Sequence, residues 1–440
     1  MNERIKDEEK IKQVTKVHSS SYLTMYGNHR AISSFQKLPT WLQKYFTWHK
    51  QQTSNKYSKE QKYLVIPCLQ KDKCGGFSDR FRPLPFFLLL ASKIDRVLCI
   101  YWQKPTMLEE FFQPMKDGID WRCPSDFSKL VDSSIPSRRQ TNYSNYILFK
   151  GNKPGTGAQT ATSNVEYMRK NSAKFVSIRF KDLDFGKVND VNMLFQAYSY
   201  QKEMPKMGGW MHVPLMEHIF RVMFEPVEPI QQLINSTMDK FGLVEGEYTS
   251  VHVRSRYPCY HMQTILGFKE SIAHDKNHQD ISFEGKYKAA LTEYSDNAIR
   301  CGVLLDKNQD KFFFSSDSAD LTKYVSSTPL VIDGVRKVNA VGVDSRDEIL
   351  HMEYSSNNTA TSLYPVIEDL LIMGGSKCVA HGVGSFGSFA AALSGNRCRA
   401  VHRNAKGDTE SCPNDKAAAK MVEITKEYMI GDDKDHFGGA

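Results

Sequence analysis

The feature that most constrains this chain is an alternation, run through twice, of short apolar segments with segments of helical length. YLVIPCL (63–69), RVLCIYW (96–102), NYILFK (145–150) and KFVSIRF (174–180) read as strands, being short and rich in β-branched and aromatic residues. An apolar helix over 83–94 separates the first two, a short helix over 107–113 follows, and a helix-rich stretch that includes MEHIFRVMF covers about 190–240. The pattern then restarts. Strands TSVHVRSR (249–256), KFFFSSD (311–317), LVI (330–332), KCVAHG (377–382) and CRAVH (398–402) alternate with helices over 286–305, 318–325, 362–373 and 385–395. Strands separated by helices of this length form a parallel sheet covered on both faces. Two such runs predict two α/β domains, 61–240 and 241–405. They are flanked by a polar N-terminal extension over 1–60, with a short helix around Trp41 to His49, and by a polar tail over 406–440, with a helix around 416–428.

A chain of 440 residues is long for one domain. Its 40% hydrophobic and 25% charged content is that of a water-soluble globular chain. The net charge of +8 suits phosphorylated small molecules, nucleic acid or anionic membrane. The charges are scattered, however, and no basic–aromatic motif supports nucleic acid. No apolar run reaches the roughly 18–20 residues of a membrane span; the densest, LPFFLLLASKI (84–94), is interrupted by Lys93. MNERIKDEEK is charged from its first residues and is not a signal peptide, so the protein is cytosolic or its targeting segment lies outside this sequence. The nine cysteines form no C-x-x-C pair, which argues against structural zinc and against a small disulfide scaffold. The odd number leaves at least one thiol without an intramolecular partner. Glycosylation triplets at Asn142, Asn235 and Asn357 allow a secretory location without showing one.

Ligands of open α/β sheets bind beyond the carboxyl ends of strands, and four such ends carry distinctive residues. KDKCGGFSDRFRPL (71–84) holds Gly75 and Gly76, which let backbone approach a ligand, beside Asp79, Arg80 and Arg82; the plain alternative is a tight turn whose Asp79 caps the next helix. YTSVHVRSRYP (248–258) places His252, Arg254 and Arg256 at every second position, hence on one face of a strand. With no acid interleaved, an anion site is favoured over a structural ion pair. FFFSSDSADL (312–321) ends a strand at Asp317, which either accepts hydrogen bonds from a sugar or base or, with Ser318, caps a helix. HGVGSFGSFAAALSG (381–395) leads small residues into a helix whose amides and dipole suit phosphate, or which simply packs closely on the sheet. GNKPGTG (151–157) has the look of a phosphate loop but lacks the G-K-[S/T] ending.

Taken in order, the four segments resemble the motifs of fucosyltransferase-like proteins of the O-fucosyltransferase and α-fucosyltransferase superfamily, closest to divergent algal and protist members. KCGGFSDRFR resembles the family's GG-x-G-D-R-x-R turn, VHVR its H-x-R motif, FSSDS its strand ending in T/S-D, and GSFGSF its serine-containing third loop. The similarity spans about 63–403. It implies a GT-B fold, two Rossmann-like domains facing a central cleft, with the first on the acceptor side and the second binding the GDP-sugar. It implies inverting transfer of fucose from GDP-fucose to a hydroxyl of a glycan or protein, without a bound metal, in the Golgi or endoplasmic reticulum. Arg254 would hold the β-phosphate, with Arg256 beside it; His252 and Asp317 would lie near the guanosine; Ser385 and Phe386 would follow the diphosphate. Gly75, Gly76 and Arg80 would reach the cleft from the first domain, with Asp79 as the general base. Two departures stand out. Ser255 occupies the place of a second arginine directly after H-x-R, and no acid follows until Glu270. They leave room for an inactive relative that binds a glycan or a nucleotide.

Overall fold

The computed structural model describes residues 28–54, 61–70, 72, 74–81, 83–132, 142–143, 146–149, 168–178, 215–255, 283–332, 336–343, 359–395, 398–402 and 412. Arg82, Arg256, Cys259, the 151–157 loop, most of 257–285 and the helix expected at 416–428 lie outside the described residues.

The first described elements are two helices, α1 (Asn28–Gln36) and α2 (Thr40–Ser54). Within the polar extension expected over 1–60, the described residues 28–54 are packed into the fold. Leu42, Tyr45, Phe46 and His49 of α2 are buried. Tyr45 Oη donates to the Arg96 carbonyl and accepts the Leu98 N–H, both at 3.0 Å, and His49 Nε2 bonds the Leu98 carbonyl at 2.9 Å. The polar composition of 1–60 hides this, because α2 needs only one face to be apolar.

The first sheet follows. β1 (Tyr63–Cys68), α3 (Phe77–Phe81), α4 (Leu84–Lys93) and β2 (Val97–Trp102) come first, then β3 (Phe112–Pro114), α5 (Ser125–Asp132), β4 (Asn142–Tyr143), β5 (Tyr146–Phe149) and β6 (Phe175–Ile178). The helix expected over 107–113 is instead a 3-10 turn at Leu108–Glu110 leading into β3. Strand order is β2-β1-β6-β5-β4, parallel except for β4. Every residue of β1 and β2 is buried, as expected of parallel strands covered on both faces. The edge strand β2 is shielded by α2, and Ile100 N–H donates to the Trp121 carbonyl at 2.8 Å, so little edge remains for stray pairing. Arg96, fully buried, donates to the carbonyls of Met168, Asn171 and Ala173 and so fixes the approach to β6. Burial pulls its pKa down to about 10.

α6 (Met216–Met223), β7 (Phe224–Pro226) and α7 (Glu228–Phe241) connect to the second sheet, and β7 pairs antiparallel with β3. Then come β8 (Thr249–Val253), α8 (Gly285–Leu305), β9 (Lys311–Ser316), α9 (Ala319–Ser327), β10 (Leu330–Ile332), β11 (Arg336–Val341), α10 (Ala360–Gly374), β12 (Cys378–His381), α11 (Ser385–Leu393) and β13 (Arg399–Val401). Strand order is β10-β11-β9-β8-β12-β13, parallel except for β10. The molecule is thus α/β, with two mainly parallel sheets. On one face of the second sheet, Val251, Val253, Phe312 and Phe314 pack with Leu291, Tyr294 and Ala298 of α8. Its other face and the first sheet share a single apolar core. Phe81 of α3 stacks on Phe389 of α11 with ring centroids 6.0 Å apart, and lies 5.5 Å from Phe220 and 5.0 Å from Phe224.

Eight of the nine cysteines are paired, as Cys68–Cys74, Cys99–Cys123, Cys301–Cys412 and Cys378–Cys398, with Cα separations of 4.6–5.9 Å. Among the described residues no helix is long and apolar enough to cross a membrane.

Candidate functional site

The carboxyl ends of β8, β9, β12 and β13 lie side by side, with His252 in register with Ser315 and with His381. Alternation along β8 sends Val251 and Val253 toward α8 and His252 to the opposite face. There the imidazole is 5% exposed and lies beneath α11, its centroid 5.3 Å from that of Phe386. Gly387 permits this approach, since a Cβ there would stand 2.8 Å from His252 Nδ1 and 2.6 Å from His381 Cβ. Burial first, then His381 and Arg254, lower the His252 pKa to about 3; burial lowers that of His381 to about 4. Both rings are therefore neutral at physiological pH. His252 Nδ1 and His381 Nε2 have no hydrogen-bond partner among the described residues. His402 Nε2 reaches the His252 carbonyl at 3.0 Å, which makes it the protonated nitrogen of that ring.

Arg254 follows β8 and lies against the start of α11. Gly384, the residue preceding that helix, has φ 95° and ψ 166°, a region open almost solely to glycine. A Cβ there would stand 2.8 Å from an Arg254 guanidinium nitrogen. No side chain caps α11, so its first amides and the positive end of its dipole are presented beside the guanidinium. Ser385 and Phe386 open the helix, both half-buried. A guanidinium at an uncapped helix N-terminus is an arrangement suited to an anion, most of all a phosphate.

Asp317 fastens this corner. Its Oδ1 accepts the Ser255 N–H at 2.6 Å and the Ser255 hydroxyl at 2.7 Å. Ser318 caps α9 by accepting the Leu321 N–H. These bonds are neither of the uses expected of Asp317 from the sequence; they hold the turn that carries Arg254. Behind it, Ser315 Oγ donates to the buried Asp369 of α10 at 2.8 Å.

In the first half, the Cys68–Cys74 disulfide pins the turn after β1. Gly75 has φ 74° with the Asp79 side chain folded over it, and Asp79 Oδ2 accepts the Gly76 N–H at 3.1 Å. Arg80, 7% exposed, donates to the carbonyls of Gly75 and Lys104 and lies 4.9 Å from the centre of the Trp102 ring. Asp79 and Arg80 therefore brace the turn itself. This turn leads into α3, which packs on α11, so the two motif regions meet at one seam. Residues not singled out from the sequence are His381, Asp369, Gly384 and Gly387, and Ser255, noted there only as a departure from the motif, proves to anchor the turn. The two glycines had a visible signal in GVGSFGSF, where each proves to face one residue of the H-x-R motif. Among the described residues no three of His, Cys, Asp and Glu gather as metal ligands.

No protein-family model and no curated protein matches this chain. Its fold is similar to those of solved fucosyltransferases. A variant of FUT1 from Arabidopsis thaliana in complex with GDP is 12% identical over 83% of this chain and 79% of that one, with a TM-score of 0.48. Fucosyltransferase NodZ from Bradyrhizobium is 15% identical over 76% of this chain and 94% of its own, with a TM-score of 0.38. POFUT1 in complex with GDP-fucose is 11% identical over 78% and 95%, with a TM-score of 0.37. At these values the likeness carries no residue's role across to this chain.

Proposed function

We propose that this chain is a glycosyltransferase that moves fucose from GDP-fucose to a hydroxyl of a glycan or protein, with inversion at the anomeric carbon. The observation that carries the reading is Arg254 seated on Gly384 at the uncapped start of α11. The order of the four motifs, and their resemblance to the fucosyltransferase-like family, supports guanosine diphosphate as the anion. In the reaction, the acceptor oxygen bonds to the sugar's anomeric carbon as the bond from that carbon to the β-phosphate oxygen breaks. GDP departs with the electron pair, and the hydroxyl proton passes to a base or to solvent. Negative charge grows on the β-phosphate, where Arg254 and the first amides of α11, at Ser385 and Phe386, stabilise it. Arg256 would add a second guanidinium. His252, neutral and buried, supports the nucleotide's floor, and Asp317 acts by holding the Arg254–Ser255 turn. Asp79 is the proposed base, with Gly75, Gly76 and Arg80 shaping its turn.

The four disulfides favour an oxidising compartment, which accords with a Golgi or endoplasmic reticulum lumen. We take 61–240 as the acceptor-side domain, joined by α1 and α2, and 241–405 as the donor-binding domain. One observation favours a second reading, an inactive relative that binds a nucleotide or glycan: the Asp79 carboxylate is engaged by its own turn. Calorimetric titration with GDP, ADP and UDP in EDTA, on wild type and Arg254→Ala, tests the donor site. Selective GDP binding lost in the variant supports it, and no binding to any nucleotide removes it. Turnover of GDP-fucose with an acceptor panel then separates enzyme from inactive relative.

A further inference from the structure

A cavity lies at the other end of the second sheet from the candidate site. Its volume is about 550 Å³, within the range of small-ligand sites. Gly246 and Lys377, on its wall, precede β8 and β12, whereas Arg254 and Gly384 follow them. Five residues of strand, about 17 Å, separate the two ends. The cavity sits on the seam between halves: α1 and α6 form one side, and the residues before β8 and β12 form the other.

Its lining is unusual in two respects. No Phe, Tyr or Trp lines it, and apart from glycines and the disulfide-bonded Cys398 every lining side chain is polar. Pockets for drug-like or nucleobase ligands are mostly apolar and aromatic, so the occupant that fits is strongly hydrophilic. The charge is also unbalanced. Arg30, Lys37, Arg221 and Lys377 face Glu217 and Glu245. Glu245 is shared by Arg30 and Arg221, the latter at 3.1 Å, and Arg221 also meets Glu217 at 3.4 Å. Lys377 turns to Asp306 at 2.7 Å, and Lys37 makes no ion pair among the described residues. Arg30 lies on α1 and Lys37 in the turn directly after it, with Ser33 and Ser34 of α1 also lining the cavity. Arg221 is 8% exposed and so is built into the fold, while Arg30 and Lys37 reach the cavity from the surface. Glu245 and Glu217 meet Arg30 and Arg221, which leaves the charge of Lys37 as the excess that a further anion would offset, and arginine forks suit phosphate and sulfate.

We propose that this seam cavity is a second binding site, separate from the GDP site, for a small sugar carrying a phosphate or sulfate ester. The ester oxygens meet Arg30, Lys37 and Arg221; the sugar hydroxyls meet Ser33 and the exposed backbone at Gly246. Because the ligand touches both halves, its binding stabilises the assembled fold. The assignment is independent of the proposed transferase activity.

The test titrates the full oxidised chain, by calorimetry and thermal melting, with glucose 6-phosphate, N-acetylglucosamine 6-sulfate, glucose and inorganic phosphate. Saturable binding of at least one ester is expected, with a raised melting temperature and no response to glucose. The stronger of the two esters identifies the source. Arg30→Glu combined with Lys37→Glu should weaken ester binding at least tenfold and leave GDP binding unchanged. Lys37→Glu alone, at an exposed position, should weaken it measurably even where the double variant folds poorly. Absence of saturable ester binding, equal binding by glucose or by inorganic phosphate, or binding unaltered in both variants would overturn the proposal.

Discussion

Gly384→Ala isolates the contact on which the donor site is built. Two separable costs follow from the geometry. The backbone at φ 95° and ψ 166° is strained for any residue with a Cβ, by about 1–3 kcal/mol. The new methyl would stand 2.8 Å from an Arg254 guanidinium nitrogen and 3.3 Å from its Cδ. The guanidinium is the far end of a flexible side chain, so it will move rather than break the fold. The expected stability loss is thus the backbone strain alone, read as a shifted urea midpoint with unchanged slope. The binding loss is separate. Displacing a charge-assisted hydrogen-bond donor costs about 1.5–3 kcal/mol, hence GDP affinity should fall about 10- to 100-fold. Gly285→Ala is the control, since Gly285 also has positive φ, 50°, but an added Cβ there meets nothing within 4 Å. It should lower stability modestly and leave GDP titrations unchanged. If Gly384→Ala binds GDP as wild type does, then Arg254 and the start of α11 do not form the phosphate site, and the reasoning fails.

Stability should also depend on pH through the buried histidines. His252, His381 and His49 have folded pKa values lowered to about 3, 4 and 4; the unfolded chain therefore binds more protons between about pH 6.5 and those values. Stability is retained above about 6.5 and falls as the pH drops through this window, by about 1 kcal/mol per pH unit for each histidine; urea melts from pH 7 to 4 measure it, and His381→Gln should flatten the slope. Arg96→Met leaves carbonyls at Met168, Asn171 and Ala173 without their donor and should cost about 3 kcal/mol or more, read by thermal and chemical denaturation. Cys301 and Cys412 close a loop of 111 residues; by chain entropy Cys412→Ser should cost about 4–5 kcal/mol, visible as a lowered melting temperature that added reductant does not lower further through this bond.

Strands β1 and β2 were legible because parallel strands covered on both faces read as unbroken apolar runs, and β8, β9 and β12 because β-branched or aromatic residues recur in short segments set between helices. The β3–β7 ribbon was not, since each strand has three residues and the partners lie about a hundred residues apart. β11 (RKVNAV) escaped for lack of a clear pattern, and β10 gave no hint that it would run antiparallel. In the site, His252, Arg254 and Ser385 were visible as motif residues. Their pairing with Gly387 and Gly384 was not, because it depends on how α11 crosses the strand ends. Asp79 and Asp317 stood out as acids near a cleft, yet short side chains next to turns are readily drawn to nearby amides. Geometry alone distinguishes the two uses.

The stacked phenylalanines at the seam bear on how the chain must be made. Phe81 and Phe220 belong to its first half, and their partner Phe389 lies near the end. At ordinary elongation rates the ribosome needs roughly 10–30 s to travel from residue 220 to residue 389. Throughout that interval Phe81 of α3 and Phe220 of α6 lack their partner Phe389 on α11. The protein therefore completes its core only after nearly all of it has been synthesised. Shortened chains ending before α11 should be recovered bound to chaperones or aggregated, rather than as a folded first domain.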